Sequence, residues 1–263
     1  MAAVASTGVD SRAAAPHVER LRYRVTWNSV PVANAELLIQ PQPGSGRATS
    51  VLLRGRAETN EALDLLWQMR DSFEATVGLA PIAPGRFVLR QNENDRRRET
   101  TIVATPSRLV GTVERRHRRT RRADVARTSR LYDPASLAYL IRTLPPELEQ
   151  RASYAVLVGT KIYDLTVAPG GTDNVDAAGR VWPERRFHLM LHLQPKDVES
   201  TGAVLTDSAG GRRDDQPQRE LEVQEADLWI STGPERLPLR LSSSTFWGWV
   251  TVELVGRGAA SNA

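Results

Sequence analysis

Polar and apolar residues alternate along much of this chain with a period of two. From Leu21 onward, Leu21, Tyr23, Val25 and Trp27 fall on one face and Arg22, Arg24, Thr26 and Asn28 on the other. That is the pattern of a half-buried strand, because successive side chains of an extended chain point to opposite faces. Residues 28–31 carry turn chemistry. Ala33, Ala35, Leu37 and Ile39 then alternate with Asn34, Glu36 and Leu38, so the chain returns as a hairpin that ends in the loop at 41–46. The same grammar recurs over 49–56, 73–78, 86–90, 99–104, 109–114, 154–158, 161–167, 187–193, 220–230, 237–242 and 246–254, with turn residues between nearly every pair. Short strands at hairpin spacing predict a mainly β protein, a curved antiparallel sheet or incomplete barrel, rather than βαβ units.

One or two short helices interrupt the strands. Asn60 can cap a helix over 61–67. Asp133 followed by Pro134 is a strong start for a second helix to about Thr143, because Asp accepts free amide hydrogens and Pro tolerates the first turn. Pro145-Pro146 stops it. Residues 1–18 and 256–263 read as flexible tails around a single β domain over 19–255. Within that domain, residues 195–219 are rich in Gly, Asp, Ser and Arg and are expected to form a long mobile loop, with a short strand at 203–206.

Composition removes several chemistries. The 263 residues include no cysteine, which excludes disulfides, thiolate nucleophiles and cysteine-rich zinc sites. No apolar stretch approaches the ~20 residues of a spanning helix, so an integral helical membrane protein is not expected. The start of the chain shows no charged segment followed by an apolar one, hence no complete secretory signal. Ala3-Val4-Ala5 before Ser6 nevertheless resembles a small-residue cleavage site. Gly-rich phosphate loops, the nucleophile-elbow motif and His-Glu-x-x-His are all missing, so no catalytic residue is assigned, although glycosidase carboxylates have no fixed spacing and leave a hydrolase open.

Three features compete for a role. The run from Arg115 to Arg122 holds Arg115, Arg116, Arg118, Arg119, Arg121 and Arg122, and Lys161 and Lys196 are the only lysines among 35 basic residues. A run so charged is either a solvated hairpin tip or a docking patch for an anionic partner such as lipid head groups or glycolipid. Nucleic acid is disfavoured, because no aromatic platform accompanies the run. His188 and His192 have helical chelating spacing but sit on a strand pattern, where four residues span roughly 13 Å, so no metal is expected there. Trp247 and Trp249 share one face of the last strand while Phe246, Val250, Val252 and Leu254 share the other. Apolar groups on both faces imply that the second face is covered by a helix, a loop or a ligand, or simply packs in the core.

These segments together resemble a bacterial family of exported proteins of unknown function. The resemblance is carried in order by Leu21-Arg-Tyr-Arg-Val-Thr-Trp27 with Val30-Pro-Val32-Ala-Asn-Ala35, by Met69-Arg-Asp-Ser-Phe-Glu-Ala75, by Asp133-Pro-Ala-Ser-Leu-Ala-Tyr139 with Arg142, and by Gly159-Thr-Lys-Ile-Tyr163. It closes with Leu228-Trp-Ile-Ser231, Arg236-Leu-Pro-Leu-Arg240 and Phe246-Trp-Gly-Trp-Val250. It implies a periplasmic or cell-envelope location and a curved sheet akin to the incomplete barrels of bacterial lipoprotein carriers, and it brings no catalytic residue or cofactor.

The expected function is therefore a non-enzymatic envelope protein that binds an apolar or amphipathic ligand on a curved sheet closed by the second helix. The ligand classes are lipid, lipoprotein or glycolipid, with Trp27, Trp67, Tyr139, Trp247 and Trp249 as candidate apolar contacts. The rival expectation is an assembly or scaffold protein that docks on an anionic surface or on an envelope protein through the arginine run.

Overall fold

Tight turns set the order of the sheet. In the computed structural model, which describes residues 17–42, 48–194, 223–245 and 248–258, Asn28-Ser29, Asn94-Asp95 and Ala178-Gly179 all have both residues at positive φ. That is the type I′ geometry whose twist matches paired strands. The expected tail before residue 17, the loop at 195–219 with its strand at 203–206, and Trp247 lie outside the described residues.

The strands are β1 (Glu19–Trp27), β2 (Val30–Gln42), β3 (Ser50–Thr59), β4 (Arg70–Leu79), β5 (Ile82–Glu93), β6 (Arg96–Ala104), β7 (Arg108–Arg115) and β8 (Arg121–Ala126), followed by β9 (Leu131–Tyr132), β10 (Ala152–Val158), β11 (Lys161–Ala177), β12 (Arg180–Leu193), β13 (Val223–Ser231), β14 (Pro238–Thr245) and β15 (Gly248–Gly258). They form one sheet in the order β8-β7-β6-β5-β4-β3-β2-β1-β15-β14-β13-β12-β11-β10-β9. Every pair is antiparallel except β9–β10. The last strand continues to Gly258, past the expected boundary at 255. The sheet is curved and open, with β8 and β9 as its edges.

Curvature brings distant strands together. A Cβ placed on Gly111 of β7 would lie 2.0 Å from the carbonyl oxygen of Gly159 in the β10–β11 turn. The two arms of the sheet therefore meet so closely that only glycine fits at the seam. The helix α2 (Pro134–Thr143) lies between the arms on the concave side. Ala135 packs with Val51, Ala75, Phe87, Ile102 and Leu109 of one arm, while Leu137 and Ile141 pack with Val156, Val167, Phe187 and Ile230 of the other. Its start is as the sequence dictates: the Asp133 carboxylate accepts from the amides of Ala135 and Ser136, and the Ser136 hydroxyl closes a capping box.

The first helix differs from expectation. Helix α1 (Glu61–Asp64) is a single turn capped by Asn60 and does not reach Trp67. Two forces end it early. Leu65 and Leu66 find nothing to pack against and remain 88% and 83% exposed, and Asp64 is drawn into a cluster with Arg70 and Thr59 that turns the chain into β4. The long β11–β12 hairpin extends well beyond the strands expected at 161–167 and 187–193. It bends at a bulge between Pro169 and Thr172, and its tip crosses to β15, where the Ala178 amide donates to the Leu254 carbonyl at 3.0 Å. There Val175, Ala177 and Trp182 bury against Leu21, Leu239 and Leu254.

Candidate functional site

Strand direction divides the concave face into two ends. One end, the base, holds the start of β1, the β11–β12 tip and the end of α2. The other, the rim, holds the β1–β2, β5–β6, β7–β8 and β10–β11 turns and α1. At the base the inward side chains are sealed: Leu21, Val51, Val77, Ile230, Leu239 and Leu254 are essentially inaccessible. Toward the rim the same face is less completely covered. Phe73, Leu89, Tyr163, Leu189, Leu191 and Leu228 are only partly buried, Leu241 is 36% exposed and Trp27 42%. Leu241 stands opposite Leu228 and Val252, and Val252 opposite Val25, so these groups form a continuous apolar floor. The concave side is thus a cleft, closed at the base and open at the rim.

Polar staples close the base. Arg142 at the end of α2 pairs with Glu19 at 2.7 Å and donates to the carbonyls of Glu235 and Arg236 at 2.7 and 2.9 Å. Tyr23 donates to the Pro238 carbonyl at 3.1 Å, and burial pushes its phenol pKa up. Burial also pushes the Asp133 carboxyl up despite the hydrogen bonds it accepts from Ser136 and Ala135.

The structure separates the aromatic candidates. Trp27 stands opposite Val250 and so faces the cleft, whereas Trp249, one residue earlier on β15, faces the convex side. Tyr139 packs against the core from α2. Trp67 follows α1 at the rim beside the exposed Leu65 and Leu66. Trp27 and Trp67 therefore belong to the rim, Tyr139 to the interior and Trp249 to the outer surface, and the five do not form one cluster. Trp247 lies outside the described residues.

The arginine run splits by the same parity. It occupies the β7–β8 turn and the ends of both strands. Arg115 faces Arg98 across β6–β7, and Arg121 faces Val113 across β7–β8. Both share the inward face of the buried Thr100, Val113 and Ala123. Arg122 points the other way and pairs with Asp124 at 3.6 Å. Arg98 carries no signal in the sequence, because only strand register joins it to the run. It is half-buried, and burial, then Arg115 and Arg121, push its guanidinium pKa down, with Glu93 opposing. Tyr163 of the opposite arm stands beside it.

The convex side carries a second hollow of about 270 Å³, lined by Arg151, His188, Met190, Glu225, Asp227, Ser242 and Trp249 among others. His188 Nδ1 contacts Asp227 Oδ1, and register places Ser242 on the far side of Asp227. A nucleophilic serine needs the imidazole next to it with the carboxylate behind. Here the carboxylate lies between the two, so this row does not make a triad. His192 stands opposite Asp164. Among the described residues no three His, Asp or Glu side chains are placed to hold a metal ion, and no helix is long and apolar enough to cross a membrane.

A family model described as a protein of unknown function, DUF3108, matches residues 22–255. No curated protein matches the sequence. Among solved structures, a β-barrel-like protein of the domain of unknown function DUF1849 from Brucella abortus is similar at TM-score 0.55 and 6% identity, over 95% of this chain and 100% of that one. That likeness is one of fold. A candidate lipoprotein from Parabacteroides distasonis aligns over 92% of this chain and 96% of its own, and a candidate exported protein from Bacteroides fragilis over 93% and 97%, each at TM-score 0.33 and 6% identity.

Proposed function

The chain belongs to the DUF3108 family of proteins of unknown function, and from that premise we propose that it is a non-enzymatic binding protein of the cell envelope that holds an apolar or amphipathic ligand in its concave cleft. The observation that carries this reading is the gradient of exposure along one apolar face. Side chains sealed at the base give way to the partly buried Leu189 and Leu228 and then to Leu241 and Trp27, which are exposed. An apolar face left wet costs on the order of 25 cal/mol per Å², and a ligand that covers it recovers that free energy. The envelope location rests on the resemblance to an exported family. The test is organic extraction of protein purified without detergent, followed by mass spectrometry. Recovery of a near-stoichiometric amphiphile supports the reading, and an empty extract from protein made in its own host contradicts it.

A second reading, docking on an anionic surface, is favoured by one observation. The exposed Leu65 and Leu66 share the rim with the arginine turn between β7 and β8. Apolar side chains on the same rim as a basic turn suit the boundary of an anionic bilayer, where chains insert and charges attract.

A further inference from the structure

Arg98 stands where the two arms of the sheet meet. A Cβ placed on Gly159 would lie 3.1 Å from Val113 Cγ2 and 3.4 Å from Arg98 Nη2, so the guanidinium lies against the β10–β11 turn. Arg115 is its cross-strand partner, and Arg121 lies diagonal to Arg115 through Val113. Arg98 and Arg115 thus share the inward end of the seam, on the side of the cleft where Tyr163 packs toward Leu165 and Phe187. Among the described residues, neither Arg98 nor Arg115 has a carboxylate within ion-pair distance, and the Arg98 Nε is buried without a hydrogen-bond partner.

Such an arrangement costs stability unless something offsets it. Like charges repel, and a desolvated N–H without an acceptor forfeits its hydrogen bond to water. An oxyanion answers both costs, because carboxylate and phosphate oxygens match the planar fork of arginine. The partly buried Tyr163 of β11 and Leu191 of β12, on the inward face beside the seam, suit a hydrocarbon chain. We propose that Arg98, together with Arg115, receives the oxyanionic head group of a long-chain amphiphile whose chain lies along the cleft, a proposal that rests on the binding role given above.

The test uses displacement of N-phenyl-1-naphthylamine from the full chain by dodecanoate, dodecyl phosphate and dodecanol, each below its micelle concentration. The two anions should displace the dye at concentrations on the order of tenfold lower than the alcohol, and their ratio identifies the preferred oxyanion. Arg98→Gln should bring both anions to the level of the alcohol without changing dodecanol itself. Arg98→Lys, which keeps the charge without the fork, should restore part of the preference. Equal displacement by all three in the wild type, or an unchanged anion preference in a folded Arg98→Gln protein, overturns the head-group site while leaving the cleft intact. No saturable dye binding at all contradicts the cleft as a binding site and removes this inference with it.

Discussion

Glu19 at the start of β1 and Arg142 at the end of α2 form an ion pair of 2.7 Å whose side chains are 3% and 13% exposed. The contact ties the concave helix to the sheet from a sequence distance of more than a hundred residues. Arg257 adds a second cation to the same carboxylate at 3.5 Å.

Removing one member of so buried a pair leaves the other charge uncompensated, at a cost of about 3–5 kcal/mol. Glu19→Gln should therefore lower unfolding free energy by that order in urea titration. The double change Glu19→Leu with Arg142→Leu should lose less than either single change. If Glu19→Gln costs under about 1 kcal/mol, the ion pair does not hold α2 to the sheet.

Glycine at the seam gives a paired prediction. Gly111→Ala drives a Cβ into the Gly159 carbonyl, whereas nothing lies within 4 Å of a Cβ at Gly171. The first should cost about 1–3 kcal/mol or more through forced backbone shifts, and Gly171→Ala should be near neutral. Equal melting temperatures for the two variants would show that the arms do not touch.

Asp133 supplies a pH dependence. Its folded pKa lies above the unfolded value because it is buried. It binds its proton more tightly when folded, so the stability this contributes is complete below the unfolded pKa near ~4 and is lost as pH rises through the folded one. Asp133→Asn keeps a capping oxygen but cannot titrate. Relative to wild type, the Asn variant should gain stability steadily from about pH 4 upward, read by thermal melts across pH. A constant difference between the two proteins would refute the shift.

Leu65 and Leu66 test the second reading of function. Both are open to solvent, so Leu65→Ser with Leu66→Ser should leave the melting temperature unchanged. Each leucine buried at a bilayer contributes about 1.5–3 kcal/mol, so the double variant should lose most of any binding to anionic vesicles in a flotation assay. Replacing Arg116, Arg118 and Arg121 should lower that binding more at low salt than at high salt. Wild-type protein that ignores anionic vesicles at low salt rules out surface docking.

Much of this fold is legible in the sequence because its signals are local. Alternation from Leu21 to Trp27 marks β1, and Asp133-Pro134 marks the start of α2 to the residue. What escaped detection depends on partners far along the chain. Strand β8 begins inside the arginine run, where Arg121 and Arg122 look like turn residues until β7 pairs with them. The outer half of the β11–β12 hairpin contains Pro169, Gly170, Gly171 and Pro183, which read as breakers, but the bulge and the contact with β15 absorb them. The site followed the same rule. The tryptophans stood out by residue type, yet strand parity sends Trp27 and Trp249 to opposite faces. Arg98 carried no motif and becomes conspicuous only through its register with Arg115 and the approach of Gly159.

The most direct measurement of the cleft is fluorescence titration of N-phenyl-1-naphthylamine into the wild type and into Leu241→Glu. Leu241 lies on the cleft floor and is already 36% exposed, so the charged replacement should leave the fold and its melting temperature in place. A binding cleft predicts saturable, blue-shifted enhancement at one dye per chain for the wild type, weakened on the order of tenfold or more in Leu241→Glu. The same weak, unsaturable signal from both proteins would contradict it.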